Sequence, residues 1–253
     1  MGKVLTMPFE GSLENLSATT APQDVSLEDA ATFDVLRKMR EDILCCVLKP
    51  DQKLRFGELR QRYGTSVGTL REALSHLVSE GLARTEAGRG FQVAPISLAD
   101  FLDLSELRVY LEIRTLADAI RHGTDAWEAE IVSSYFLLNK LAPPRQDDPV
   151  SVKREWGKRH KRFHDSLVAT CRSPWSLHFR SELFDQARRY HWLTMIHARS
   201  RRRNEHLELR DAVLARDVDL ACGLIEKHIR TTVQQAASEV PGLTLDMAKR
   251  KKA

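Results

Sequence analysis

The pentapeptide "HKRFH" sets His160 and His164 four residues apart. On a helix that spacing puts both rings on one face. Two imidazoles so placed can hold a divalent ion, pass a proton, or decorate a solvated surface. Helical zinc hydrolases need Glu directly after the first His as general base, and here that residue is Lys161. Two more imidazoles, His206 in "NEHLELRDAV" and His228 in "IEKHIRTT", lie in downstream segments that also read as helix. No nucleophile elbow, P-loop or dinucleotide fingerprint accompanies them. The expectation is a protein that holds a ligand rather than an enzyme.

The chain around these residues has 253 residues, enough for one large domain or two modest ones, and its 42% hydrophobic content argues for a folded protein. A net charge of +4 does not by itself announce nucleic acid. Basic residues do cluster at 53–71, in "RSRRR" from Arg199 and in "KRKK" from Lys249. The cysteines, Cys45, Cys46, Cys171 and Cys222, show no CxxC spacing, which suits a reducing cytosol. Glu10 and Glu14 interrupt the N-terminal segment, so no secretory signal is expected, and no apolar run approaches the roughly 20 residues of a membrane span. The chain is therefore expected to be cytoplasmic, with no membrane partner.

Residues 1–27 read as a loose arm rich in Ser, Thr, Gly and Pro. From Asp34, a stripe of Leu36, Met39, Ile43 and Val47 predicts an amphipathic helix stopped at Pro50. A short helix with Leu59 and Tyr63 inward ends at Gly64. Ser66 is placed to cap a third helix that buries Leu70, Leu74 and Leu77. After Gly81 the period changes: "LARTEAGRGFQVA" predicts a two-stranded hairpin around a Gly-Arg-Gly tip. Helix, helix, tight turn, helix and hairpin is a winged helix-turn-helix plan, in which the third helix can enter a DNA major groove. Beyond Pro95 every segment reads as helix: 97–122 capped by Ser97, with Leu102, Leu107, Leu111 and Leu116 among its apolar positions, then 125–141, 151–170, 174–200, 202–215 and 217–238. The fold class expected is mainly α: a winged helix-turn-helix at 28–95, an all-helical bundle at 96–238, and a basic tail at 239–253.

"LKPDQKLRFGELRQRYGTSVGTLREALSHLVSEGLARTEAGRGFQVAP" resembles the DNA-binding domain of the GntR superfamily of bacterial transcriptional regulators. "LREAL" at 70–74, "LxxEGL" at 77–82 and the Gly-Arg-Gly wing carry the likeness. "LSELRVYLE" at 104–112, continuing into helices, resembles the FadR branch with its FCD effector domain, closest to the CsiR type. The resemblance implies DNA contacts from Ser66, Thr69, Arg71, Gly88 and Arg89. For Arg71 the alternative is a helix-capping role or an ion pair with Glu72 or Glu58. Val67 and Gly57 stand where many members carry Arg, so the operator is expected to differ from theirs.

The same resemblance implies a divalent metal held by His164, His206 and His228, with His160 where the family has Asp or Asn. His160 is either a direct ligand or a hydrogen-bonding neighbour. Neutral imidazoles suit Zn²⁺, Ni²⁺, Cu²⁺ or Fe²⁺ better than Mn²⁺ or Mg²⁺. Zinc is the first expectation and nickel the next. Arg108 is the implied carboxylate clamp, its alternative an ion pair with Glu112; Arg189, Tyr190 and Trp192 either line the effector cavity or pack. The function so implied is that of a homodimeric repressor on a palindromic operator. Its release would be by a small organic acid, a dicarboxylate such as glutarate in the CsiR-type reading. A metal sensor and a metal-dependent bundle enzyme stay open as alternatives.

Overall fold

Ser66 and Gly64 define the turn on which the N-terminal half is built. Gly64 adopts the left-handed backbone at φ 65° and ends helix α2 (Phe56–Tyr63). Two residues on, the Ser66 hydroxyl accepts the Thr69 amide and opens α3 (Val67–Ser79). Leu70, Ala73, Leu74 and Leu77 bury the inner side of α3, which packs on α1 (Leu27–Leu44) through Val35, Met39, Ile43 and Leu44. The computed structural model describes residues 27–86, 90–145, 148–195 and 202–239.

Helix α1 differs from expectation at both ends. It is already helical at Leu27, and it stops at Leu44, six residues before Pro50. The stop is a Schellman closure: Val47 N–H donates to Asp42 O, Cys46 N–H donates to Ile43 O, and Cys46 sits left-handed at φ 53°. Sequence patterning missed it because the residue in the glycine position is Cys. Gly81, at φ 70°, closes α3 by the same pair of bonds.

The expected two-stranded hairpin is a three-stranded antiparallel sheet. Strands β2 (Ala83–Glu86) and β3 (Gly90–Val93) pair as predicted, and β1 (Lys53–Leu54) adds to the free edge of β3 in the order β1-β3-β2. Two residues are too few to show alternation, so β1 carries no pattern of its own. Gly88 and Arg89 lie outside the described residues, as do the arm up to residue 26 and the tail from residue 240.

The remaining helices are α4 (Leu98–His122), α5 (Asp125–Asn139), α6 (Val150–Leu167), α7 (Pro174–Met195), α8 (Arg202–Leu214) and α9 (Val218–Glu239). The Ser97 cap forms as expected. Helix α4 runs between α7 and α9, and α5 lies on α6. A separate apolar cluster from Val109, Leu116, Trp127, Phe163, Val213 and Ile225 fills this bundle. The leucine spacing misread α4: Leu102 and Leu107 are exposed. Leu116 is buried as expected, with Phe101, Leu104, Val109 and Ile120, but the same inward side also carries a polar stripe, Ser105, Arg108, Glu112 and Thr115. Hydrophobicity cannot find a stripe of that kind.

Polar contacts tie the two halves. Arg188 of α7 donates to both carboxylate oxygens of Glu41 in α1 at 3.2 and 2.9 Å. Gln186 donates to the Glu80 carbonyl at the end of α3 at 2.7 Å. From α6, Arg154 reaches the buried Asp42 carboxylate, which also accepts from Arg62 and Tyr63. No described helix is long and apolar enough to cross a membrane.

Candidate functional site

The four predicted imidazoles converge. Helix α6 buries Trp156, His160, Phe163, His164 and Leu167 on one face, which turns the "HKRFH" pair inward. Its His164 Nε2 lies 3.1 Å from His160 Nε2 and 3.2 Å from His206 Nε2 of α8. His228 of α9 completes the group, its ring 5.0 Å from that of His206. One nitrogen from each falls within 4.8 Å of the others, and all four side chains are buried. Burial, then the neighbouring imidazoles, holds His160 and His164 well below the ordinary imidazole range; Arg108 and Arg180 push His164 the same way. These rings are neutral at neutral pH, with lone pairs available.

A carboxylate fixes one tautomer. His228 Nδ1 lies 2.8 Å from Glu205 Oε2, so Nδ1 carries the proton and Nε2 is left as a donor atom toward the cage. Sequence reasoning passed over Glu205, although a carboxylate next to a candidate ligand was visible in "NEH". His164 Nδ1 is buried with no hydrogen-bond partner among the described residues. His191 of α7 was also missed; its ring lies 5.1 Å from His160 in a stack that continues to Trp156.

Beside the imidazoles sit two buried guanidiniums. Arg180 Nε donates to Glu112 at 2.8 Å and its other nitrogens to Asp165 and the His164 carbonyl. Arg108 reaches the same Glu112 only at 3.4 and 3.5 Å. Both stand over the Phe184 ring, at 4.8 Å for Arg108 and 5.5 Å for Arg180, and that ring lies 5.4 Å from His164. Arg108 thus lies beside the cage and forms the ion pair with Glu112 that was its alternative reading, though at long distance. Arg180 is the tighter partner of Glu112, and nothing in its local sequence marks it.

The other candidates separate. Trp192 packs edge-on against Trp156, one layer behind His160. Arg189 and Tyr190 are not brought to the cage: Arg189 donates to the Ala94 carbonyl, while Tyr190 stacks on Phe101 at 4.3 Å and donates to Asp100 at 2.5 Å. They face the junction between the halves.

On α3 the exposed side carries Gly68, Arg71, Glu72, Ser75 and His76. Ser66 and Thr69 share the cap, their hydroxyls 3.0 Å apart. Arg71 is exposed, and no carboxylate pairs with it among the described residues: Glu58 holds Arg55, and Glu72 accepts from Thr32. Its guanidinium rests 5.7 Å over the Phe56 ring, free to extend.

A helix-turn-helix with a β wing, followed by a helical bundle enclosing a polar cage, defines a DNA-binding regulator with an effector domain. Residues 32–93 match the family described as "Bacterial regulatory proteins, gntR family", and residues 103–231 match the FCD domain. The chain is 38% identical over 231 residues to the HTH-type transcriptional regulator BphR of Paraburkholderia xenovorans LB400, covering 90% of this chain and 93% of that one. It is 36% identical over 208 residues to the HTH-type transcriptional repressor GlaR of Escherichia coli K12, covering 80% and 94%. The fold is shared with Escherichia coli McbR/YncC, at TM-score 0.69, 18% identity and coverage of 82% and 97%. A putative GntR regulator from Rhodococcus sp. RHA1 matches at TM-score 0.67, 18% identity and coverage of 83% and 98%. The chain belongs to the GntR family of bacterial transcriptional regulators and carries an FCD domain. The family and these relatives are regulators, not enzymes.

Proposed function

We propose that the protein is a cytoplasmic, homodimeric repressor of a palindromic operator, gripped by residues 28–95 and released when a small organic acid binds at a metal held within 96–238. Repression is read from the likeness to GlaR, whose name calls it a repressor. The observation that carries the metal is the meeting of three buried Nε2 atoms at 3.1 and 3.2 Å. Facing lone pairs repel unless a proton or cation lies between them, and two nitrogens on one tetrahedral zinc stand about 3.3 Å apart. His160, His164, His206 and His228 would hold the ion, zinc or nickel rather than magnesium or manganese because no ligand is a carboxylate. A divalent ion among neutral imidazoles keeps its double charge and offers a position to a carboxylate.

The chain's own residues do the rest. Arg108 is the clamp for the acid, a dicarboxylate of glutarate size in this reading, since a planar fork suits bidentate pairing and its contact to Glu112 is loose. Ser66, Thr69 and Arg71 present α3 to the major groove, and Gly88 and Arg89 are the further DNA contacts in this reading. Helices α6 and α7 carry cage residues at one point and hold α1 and α3 at another, through Arg154, Gln186 and Arg188. An acid that favours one placement of these helices therefore biases the placement of α3.

The test is an operator titration by fluorescence anisotropy with a panel of organic acids. One acid should weaken binding about 5–150-fold, the reach of a typical coupling energy. Chelation or His164→Ala should remove that response and leave operator binding in place. Operator affinity that follows the metal alone, with no acid, would favour the sensor instead.

Two other variants probe single contacts. Glu205→Ala should weaken metal binding about 10–100-fold in competition with a chromophoric chelator, and Glu205→Gln, which keeps an acceptor oxygen, should recover part of it. Arg154→Ala should change stability by less than about 1 kcal/mol, because Asp42 keeps Arg62 and Tyr63 and the Arg154 head is partly solvated. Its effect should appear in the acid response, as a smaller shift in operator affinity. An unaltered shift would remove α6 from the relay.

A further inference from the structure

Helix α3 turns one side to the core and the other away from it. Leu70, Ala73, Leu74 and Leu77 are fully buried. At about 100° per residue Gly68 stands opposite them, in the middle of the outward side, and it is exposed. Arg71 and Ser75 continue that side, and Val67 lies on the Arg71 flank, one turn before it. Ser66 and Thr69 turn their hydroxyls toward each other in the cap, 3.0 Å apart. Val67 is left outside that cap, 37% exposed.

Packing in the protomer asks for neither Val67 nor Gly68. A Cβ on Gly68 would meet nothing nearer than the Ser66 hydroxyl at 3.6 Å, an ordinary contact, and the backbone there is helical. Glycine weakens a helix relative to alanine, and a β-branched residue is a poorer helix former than a straight-chain one. The first turn of α3 therefore departs from helix preference at two successive positions. Such departures collect where function needs them, and this turn is the part of a helix-turn-helix that meets base edges.

The chemistry of the two positions suits a major groove. Valine neither donates nor accepts a hydrogen bond, so it cannot read the polar pattern of a base pair. The feature of that groove open to it is the C5 methyl of thymine, the one apolar group on the base edges. Glycine beside it leaves the helix backbone bare, so that the helix can come close. An arginine in place of Val67 would favour guanine instead.

We propose that Val67 is a specificity-determining residue that packs against the C5 methyl of one thymine in each operator half-site, and that Gly68 permits the close approach this contact needs. The proposal rests on operator binding by α3 in the proposed function and adds the base that the start of the helix prefers.

The full chain tests it. A duplex selected by the protein from a random pool is carried into fluorescence anisotropy, and each thymine is replaced in turn by deoxyuridine. That replacement keeps every hydrogen bond and removes the methyl alone. At one position it should weaken wild-type binding about 4-fold per half-site, and about 15-fold in both, the size of one buried methyl each. Val67→Ala should bind the unmodified duplex more weakly by the same factor and be indifferent to deoxyuridine at that position. Gly68→Ala should weaken binding about tenfold, as overpacking does, with a melting temperature no lower than wild type. A wild type indifferent to every methyl, a methyl effect that survives Val67→Ala, or a Gly68→Ala protein that binds like wild type each overturns the proposal. In those cases the duplex is still bound and the regulator reading stands. A chain that selects no duplex overturns both.

Discussion

Glu112→Ala should destabilise the protein by about 3–5 kcal/mol, the largest single-residue cost expected in the bundle. Both Glu112 and Arg180 have only 2% of their side chains exposed, and Arg108 lies just behind with 10%. Removing the carboxylate leaves two buried guanidiniums facing each other, with Asp165 and the His164 carbonyl still beside Arg180. For a chain of this size about 1 kcal/mol corresponds to 2–4 °C, so thermal unfolding should show a fall of about 6–20 °C. Glu112→Gln should lose most of the same amount, since it keeps shape and discards charge. Adding Arg180→Met should return part of the loss, because the second change removes a charge the first left unpaired and keeps the volume. A melting temperature for Glu112→Ala within about 2 °C of wild type would show that solvent reaches this pair. The polar stripe of α4 would then be surface, not interior.

That stripe also explains what could and could not be read from the sequence. The N-terminal half was legible because its signals are local: Gly64 needs a left-handed backbone, Ser66 caps its own helix, and Leu70, Leu74 and Leu77 repeat at helical spacing. The four imidazoles were legible for a different reason, since the pair on α6 shares a face by spacing alone and family likeness supplied the other two. Arg180 and His191 were not legible, and Glu205 was visible only as a neighbour of His206, not as the partner of His228. Each acts through a partner on another helix: Arg180 through Glu112, Glu205 through His228, His191 through His160. No periodicity encodes such a pairing. Arg189 and Tyr190 show the converse error. They lie close in sequence to Trp192, yet a helix turns about 100° per residue, and that rotation aims them at Ala94 and Asp100 instead of the cage. The end of α1 failed for a third reason, a Cys in the backbone conformation that patterning reserves for Gly.

The metal-stripped protein should lose stability steeply as pH falls below about 6.5, and the sign is set by the cage. Burial and mutual repulsion depress the protonation of His160 and His164 in the folded chain, whereas in the unfolded chain each titrates near 6.5. Above that value both are neutral in either state and contribute no pH dependence. Below it, the unfolded chain binds up to two protons that the folded chain refuses, so stability falls toward a limit of about 2.7 kcal/mol per pH unit. The slope ends only where the folded cage itself begins to protonate. Carboxylates held low by ion pairs do not enter here. Burial opposes the charge of Glu41, but Arg188 outweighs it, and a carboxylate so held is lost only in a lower, acidic window. Urea unfolding at pH 8, 7, 6 and 5.5 therefore isolates the imidazoles. His160→Gln should reduce the limiting slope by about one proton, near 1.4 kcal/mol per unit, and should raise stability at pH 5.5 relative to wild type. With zinc bound the same nitrogens are occupied, so protons and ion compete and acidification should release the metal. A metal-stripped protein equally stable at pH 8 and 5.5 would mean that water, not protein, surrounds these rings, and a cage open to water would neither depress their protonation nor bring three lone pairs together.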